Sequence, residues 1–246
     1  VTFLKLHDKI KIKEIKRKKN KVIFSGKFSK NIPKKNTVSH LLDILEKNKY
    51  LKNKKYKINI LKNIPQKSGM GGGSMNASSI LIFLIKKKII YLKKKEIKSI
   101  CNQVGSDVIL GLENKNSIIY PKGDVIRNNK KLGLNTLVVK PNFGCSTKEI
   151  YSNLRSFSKI EGKKNFNLVN LARYENDLEK VALKKYPSLL SLKKSMTKVK
   201  GVIFVRMSGS GSSMIGYFSS KKAVINAKKI LQRKYKKYWF ASSKTI

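Results

Sequence analysis

Ile64-Pro65-Gln66-Lys67-Ser68-Gly69-Met70-Gly71-Gly72-Gly73-Ser74-Met75-Asn76-Ala77-Ser78-Ser79-Ile80-Leu81 decides the reading of this chain. Just before it, Tyr56, Ile58 and Ile60 alternate with polar residues, the period-two pattern of a half-buried strand. Pro65 ends that strand. Four glycines follow within five positions, at 69, 71, 72 and 73. Ser74 and Asn76 then offer N-cap oxygens ahead of the apolar run Ile80 to Ile85. Glycines placed between a strand and a buried helix let backbone N–H groups close around a ligand, and the helix N-terminus adds unpaired donors and a positive dipole end. The pattern predicts a phosphate cradle. A plain connecting turn needs one glycine, and each further one costs roughly 0.5–1 kcal/mol of backbone entropy. A P-loop is excluded because no Gly-Lys-Ser/Thr follows. A dinucleotide fingerprint is excluded because, counting from Gly69 and Gly71, its sixth position is Ser74.

Working outward, the 246 residues fit one large or two small domains, and 40% hydrophobic content is enough for a real core. The net charge is +44, from 57 Lys+Arg against 13 Asp+Glu, and six of the basic residues are Arg. Such charge raises nucleic acid or an anionic membrane as partners. Specific nucleic-acid readers, however, favour Arg forks in clustered patches. Here Lys is spread through every segment beside abundant Ile and Asn, the mixture that an A+T-rich genome produces, so neither specific nucleic acid nor membrane is expected as a partner. Cys101 and Cys145 make no disulfide framework and suit a reducing, cytoplasmic setting. The longest apolar run is well short of the ~20 residues that cross a bilayer. His7 and His40 have no companions at metal-binding spacing, and no metal ligand set is expected.

Along the chain, residues 1–24 read as strands, carried by Phe3, Leu4 and Leu6, then Ile10, Ile12 and Ile15, then Val22 to Phe24. Asn36 to Leu45 and Lys95 to Val104 read as helices. Ser117 to Tyr120 and Val125 to Ile126 suggest a hairpin around Pro121-Lys122-Gly123-Asp124. Composition shifts at Asn128 to Gly133, which places a domain boundary between 1–133 and 134–246. Beyond it, Leu137 to Lys140, Val202 to Met207 and Ile215 to Phe218 read as strands. Thr147 to Leu154, Tyr174 to Leu183 and Lys221 to Tyr235 read as helices. Strands and helices that do not strictly alternate point to an α+β fold.

Two further segments carry chemistry. Asp107, in Val104-Gly105-Ser106-Asp107-Val108, is one of few acids and stands among apolar neighbours. It reads either as a carboxylate that orients an alcohol and takes its proton, or as a turn or N-cap aspartate. Ser208-Gly209-Ser210-Gly211-Ser212-Ser213 follows a strand and precedes another, so it reads as a second phosphate-facing turn rather than a flexible linker. Lys67 precedes the glycines, but in so basic a chain its position is coincidental.

On these residues the chain resembles the GHMP kinases. Pro65, Ser68, Gly69, Met70, Gly71, Gly72, Gly73 and Ser74 fall on the family's second motif, and Met207-Ser208-Gly209-Ser210-Gly211-Ser212 matches its third. The lead-in Lys62-Asn63-Ile64-Pro65 and the triple glycine are closest to the branch that phosphorylates a cytidylated methylerythritol in the non-mevalonate isoprenoid route. Met70, Met75 and Asn76 stand where that branch has Leu, Ser and Asp, and Asn76 loses a charge that a metal-linked role would need.

The resemblance implies a two-lobed GHMP kinase fold, with an N-terminal lobe like domain 2 of ribosomal protein S5 and a ferredoxin-like C-terminal lobe. It implies ATP and Mg²⁺ as cofactors, and Asp107 as the base in a segment that matches at Gly105, Asp107 and Val108. It implies nucleotide binding by the two glycine motifs, Gly209, Ser210 and Gly211 included. Thr147 and Tyr151 match the segment that holds cytidine; on sequence alone Tyr151 also fits an ordinary core position of an amphipathic helix. Glu175-Asn176-Asp177-Leu178-Glu179 with Tyr186-Pro187 resembles a family helix read as capping and packing. The family's first motif, a Lys- and Asn-bearing strand followed by a Tyr-His pair, is expected upstream of Val1, so the chain is expected to begin downstream of the true start. The partner is a small-molecule substrate, with room for a weak homodimer. The other readings are homoserine or mevalonate kinase, which share both glycine motifs, and a non-catalytic basic RNA-binding protein.

Overall fold

The computed structural model describes residues 1–113, 115–119, 125–128, 132–158 and 168–246. The chain divides into two compact units. One comprises His7–Pro65 and Gly71–Asn114, the other Val1–Leu6, Gln66–Met70 and Lys115–Ile246. The boundary expected at Asn128 to Gly133 lies partly outside the described residues, and by contacts the units divide at Asn114–Lys115.

The first unit is built on a three-stranded sheet of β1 (Lys9–Ile15), β2 (Lys21–Ser25) and β3 (Lys55–Leu61), in the order β1-β3-β2. β1 runs antiparallel to the central β3 and β2 parallel to it. The register sets Ile12 and Val22 on either side of Ile58, so the aliphatic residues share one face. Three helices share one buried apolar cluster with that face: α1 (Thr37–Lys47), α2 (Gly72–Lys86) and α3 (Lys94–Val104). α1 starts where Asn36 accepts the N–H groups of Val38 and Ser39 while the Ser39 hydroxyl accepts the Asn36 N–H, a reciprocal cap worth about 1 kcal/mol. α2 is apolar on most sides. It buries Ala77, Ile80, Leu81 and Leu84 against Leu41, Leu45, Ile58 and Ile60, each large side chain contributing about 1.5–3 kcal/mol. A 3₁₀ turn, Val108–Leu112, follows α3.

The second unit carries a short ribbon of β4 (Asn116–Ile119) and β5 (Val125–Asn128), then β6 (Asn135–Lys140), α4 (Thr147–Ser152), α5 (Leu168–Arg173), α6 (Asp177–Lys185), α7 (Pro187–Thr197), β7 (Val202–Met207), β8 (Met214–Phe218), α8 (Lys221–Lys234) and β9 (Trp239–Lys244). Its antiparallel sheet has the order β7-β8-β6-β9. With strands flanking the helices in this order, it is the ferredoxin-like arrangement. Leu137 and Val139 face Leu189, Leu192, Met196, Val224 and Leu231 on one side. Val138, Ile215 and Tyr217 cluster on the other, where Met70 packs against them.

The α+β reading holds, with local differences. Phe3 to Leu6 forms no strand, and Leu4 makes one isolated bridge to Thr245. The helix expected from Tyr174 begins at Asp177, where the Asn176 side chain accepts the Leu178 N–H. The tip Pro121 to Asp124 lies outside the described residues. Among the described residues no helix is long and apolar enough to cross a membrane.

Candidate active site

The glycine-rich segment straddles the two units, with Gln66–Met70 in one and Gly71 onward in the other. Gly71 is the N-cap of α2, in the left-handed region at φ 62, with no side-chain capping bond. This corrects the expectation that Ser74 or Asn76 caps the helix. Ser74 stands in its first turn, and Asn76 is buried in the next and turned inward. The first ladder bond runs from the Met75 N–H to the Gly71 carbonyl at 2.9 Å. The N–H groups of Gly72, Gly73 and Ser74 therefore precede the ladder, at the positive end of the helix dipole. Neighbouring structure is close: a Cβ on Gly73 would stand 2.7 Å from Thr37 Oγ1, and one on Gly72 3.3 Å from Ile64 Cγ2.

Asp107 comes to the same helix end. A Cβ built on Gly71 would lie 3.5 Å from Asp107 Oδ2, with no other heavy atom within 4 Å. Asp107 occupies the N-cap position of the 3₁₀ turn, yet its side chain makes no capping bond. The capping alternative therefore fails on geometry. Its carboxyl is open on one side, while the surrounding chain desolvates it enough to raise its pKa above the ordinary aspartate value. Both properties suit a proton acceptor.

Within the second unit, the start of the first glycine segment and the Ser208 to Ser213 turn interlock. The Ser208 hydroxyl donates to the Gly69 carbonyl at 2.9 Å, and the Ser213 N–H to the Ser68 carbonyl at 3.2 Å. A Cβ on Gly209 would stand 2.8 Å from the Gly69 oxygen, and one on Gly69 would collide with the Ser208 carbonyl. The Gly211 N–H closes the turn on the Ser208 carbonyl at 2.9 Å, leaving the Gly209 and Ser210 amides outside that bond. α6 holds the turn from behind. The Asn176 amide donates to the Met207 carbonyl at 3.0 Å and the Gly209 carbonyl at 2.8 Å, and Glu179 accepts the Met207 N–H while pairing with Lys193. The segment read as capping and packing thus also fixes the second glycine turn.

Thr147 Oγ1 lies 2.9 Å from the Ser210 hydroxyl, so a residue expected at the cytidine joins the second turn. Tyr151 is 51% exposed, and Ile150 beside it is the buried residue of α4. The core alternative for Tyr151 therefore does not apply. The two thiols are buried and free, and burial pushes each pKa up to about 11. Among the described residues no three His, Cys, Asp or Glu side chains converge on a point.

Sequence reasoning missed two features of the first unit. One is a cleft of about 390 Å³ between β2 and α1, with Phe24, Ile32 and Pro33 among its apolar walls and Asn36 and Ser39 among its polar ones. Thr37, next to Asn36, touches the start of α2. The other is Asp8, whose buried carboxylate pairs with the buried Lys62. It also accepts the N–H groups of Asn63 and Ile64 at 2.8 and 2.9 Å and the Asn76 amide at 2.8 Å. A larger cleft of about 580 Å³ beside α8 is lined by Lys200, Lys222, Lys229 and Arg233, with no acid and no glycine-segment residue.

Residues 31–114 match the GHMP kinases N terminal domain, and residues 152–237 match GHMP kinases C terminal. A protein of Pelagibacter ubique, described as 4-diphosphocytidyl-2-C-methyl-D-erythritol kinase, is 50% identical over 250 residues, covering 100% of this chain and 89% of the relative. A protein of the same description from Caldanaerobacter subterraneus is 33% identical over 210 residues, covering 81% of this chain and 72% of its own. A crystal structure of 4-(cytidine 5'-diphospho)-2C-methyl-D-erythritol kinase superposes with a TM-score of 0.76 at 22% identity, covering 98% of this chain and 87% of that one.

Proposed function

The chain belongs to the GHMP kinase family, and on that premise we propose that it transfers the γ-phosphoryl group of ATP to the 2-hydroxyl of 4-diphosphocytidyl-2-C-methyl-D-erythritol. Use of ATP comes with the family. The acceptor follows the description of the relative that is 50% identical along the full chain. The observation that carries the chemistry is the uncapped Asp107 carboxylate beside Gly71, at the donor-rich end of α2.

Asp107 accepts the proton of the attacking hydroxyl and orients it toward the phosphoryl group. The amides of Gly72, Gly73 and Ser74 hold phosphate oxygens, stabilising charge spread over the group in transfer. Pro65 and Ser68 shape the lead-in, while Gly69, Gly209, Ser210 and Gly211 form a second amide-rich turn. Phe24, Ile32 and Pro33 offer an apolar cleft for the base of the nucleotide. Thr147 and the exposed ring of Tyr151 take the cytidine, where stacking of a base on an aromatic ring contributes about 1–3 kcal/mol.

Magnesium is held largely by phosphate oxygens and water, and Asp107, beside the start of α2, would be the protein carboxylate available to it. When bound, the ion neutralises phosphate charge. Buried, unpaired thiols suit work in the cytoplasm.

A coupled ADP-release assay of the complete reading frame with the cytidylated diphosphate, homoserine and mevalonate tests the reading. Turnover is expected with the first alone. Preferential turnover of homoserine or mevalonate, or no ADP release with any of the three, overturns it.

A further inference from the structure

We propose that Asp8 is the positioning residue of the ATP-phosphate cradle, tying both ends of the glycine segment's first-unit portion to one carboxylate; this rests on the phosphate-binding role of α2 proposed above. Asp8 precedes β1, and its side chain is fully buried. Oδ1 accepts the N–H groups of Asn63 and Ile64, on the lead-in that follows β3. Oδ2 accepts from Lys62 Nζ and from the Asn76 amide, in the second turn of α2. The lead-in before the glycines and the helix after them are thereby fixed to the same two oxygens.

The geometry between these anchors is tight. A Cβ on Gly72 would stand 3.3 Å from Ile64 Cγ2 and 3.7 Å from Lys62 Nζ. The lead-in, the lysine and the first residue of α2 are therefore packed neighbours. A carboxylate is the one side chain that can accept from two backbone amides, an ammonium and a side-chain amide at once. Buried without it, the Lys62 ammonium would lose its counter-charge and the three amide donors their acceptor. Asn76 takes its meaning from this network. Its amide is committed to Asp8, which accounts for a neutral residue there by hydrogen bonding rather than by metal binding.

The network predicts a selective defect. Loosening either tether lets the α2 amides drift from the phosphates while the acceptor's own contacts remain, so ATP recognition suffers most. Asn76→Ala cuts only the helix arm. It is expected to raise the calorimetric Kd and the KM for ATP about 5- to 10-fold, with the KM for the acceptor alcohol within twofold of wild type. Asp8→Asn removes the charge that holds Lys62 and is expected to raise both ATP constants at least 10-fold. Adding Asn76→Asp to Asp8→Asn returns one carboxylate and one amide to the cluster and is expected to recover most of that loss.

A packing role alone moves thermal stability without splitting the two KM values. Asn76→Ala with ATP affinity within twofold of wild type overturns the proposal, even if Asp8→Asn does not fold. So does a folded Asp8→Asn protein that gains nothing from Asn76→Asp. If the wild-type chain itself binds no ATP, the phosphate-cradle reading falls, and the proposal with it.

Discussion

Asp107 Oδ2 and Gly71 face each other across a gap that a single Cβ would bring to 3.5 Å. The carboxylate and the left-handed cap of α2 therefore bound the same small space from two sides. Asp107→Asn keeps the shape and removes the proposed acceptor of the proton. Turnover is expected to fall ~10²–10⁴-fold in the ADP-release assay. A variant that turns over near the wild-type rate removes Asp107 from the mechanism.

The same substitution carries a stability prediction. Desolvation raises the Asp107 pKa in the folded chain, so the charged form is less favourable folded than unfolded. Its contribution to stability is present below the unfolded pKa and is lost as pH rises through the folded one. At neutral pH the carboxylate therefore costs stability, and Asp107→Asn is expected to melt no lower than wild type. In activity, the acid limb of kcat/KM is expected at higher pH than an ordinary aspartate gives. Differential scanning calorimetry and a pH–rate profile check the pair.

Gly69 and Gly71 are both left-handed, at φ 71 and φ 62, but they answer to different neighbours. Gly71→Ala meets open space apart from Asp107, so the fold loses about 1–2 kcal/mol while the new methyl intrudes where the proposed cradle would admit phosphate. ATP affinity is expected to fall at least 10-fold, and Gly71→Val to abolish binding. Gly69→Ala drives a Cβ into the Ser208 carbonyl, so its main effect is expected on stability. Calorimetric titration together with urea melts separates the two, and equal effects from both glycines would contradict this division.

Asn176→Asp retains the oxygen that caps Leu178 but removes both donors to the Met207 and Gly209 carbonyls. A carboxylate then faces two carbonyl oxygens. The expected loss is about 2 kcal/mol in urea denaturation, from carbonyls left unpaired. Stability equal to wild type would mean that the cap, and not the clamp, is what Asn176 supplies.

Neither thiol should react in the folded state. With pKa values pushed up to about 11 by burial, Cys101 and Cys145 present almost no thiolate at pH 8. Stoichiometric labelling by iodoacetamide within minutes, without denaturant, would contradict the burial of both.

The central strand, the glycine turn and α2 were legible because their signals are local: a period of two, a proline, four glycines and an apolar run. α1 was legible from Asn36 for the same reason. Asp8 was not, since its partners Lys62 and Asn76 lie 54 and 68 residues away and nothing near Asp8 announces them. β9, with the sequence Trp239 to Lys244, has no alternating pattern and exists by pairing with β6. α7 carries Pro187 at its first turn and buries Leu189, Leu192 and Met196, an i, i+3, i+7 spacing that the neighbouring lysines obscure. At Tyr151 the periodicity fitted two faces, and burial of Ile150 assigns the inward one.

Because Val1–Leu6 and the peptide Gln66–Met70 are built into the same unit as Lys115–Ile246, the gene cannot be divided into two self-sufficient halves at Lys115. A fragment starting at Lys115 would lack the Ser68 carbonyl that receives the Ser213 N–H, and would uncover the apolar patch that Met70 fills. Splitting the coding sequence there should therefore yield an aggregation-prone carboxyl-terminal product. Engineered permutations that keep residues 66–70 in place are the ones expected to stay folded.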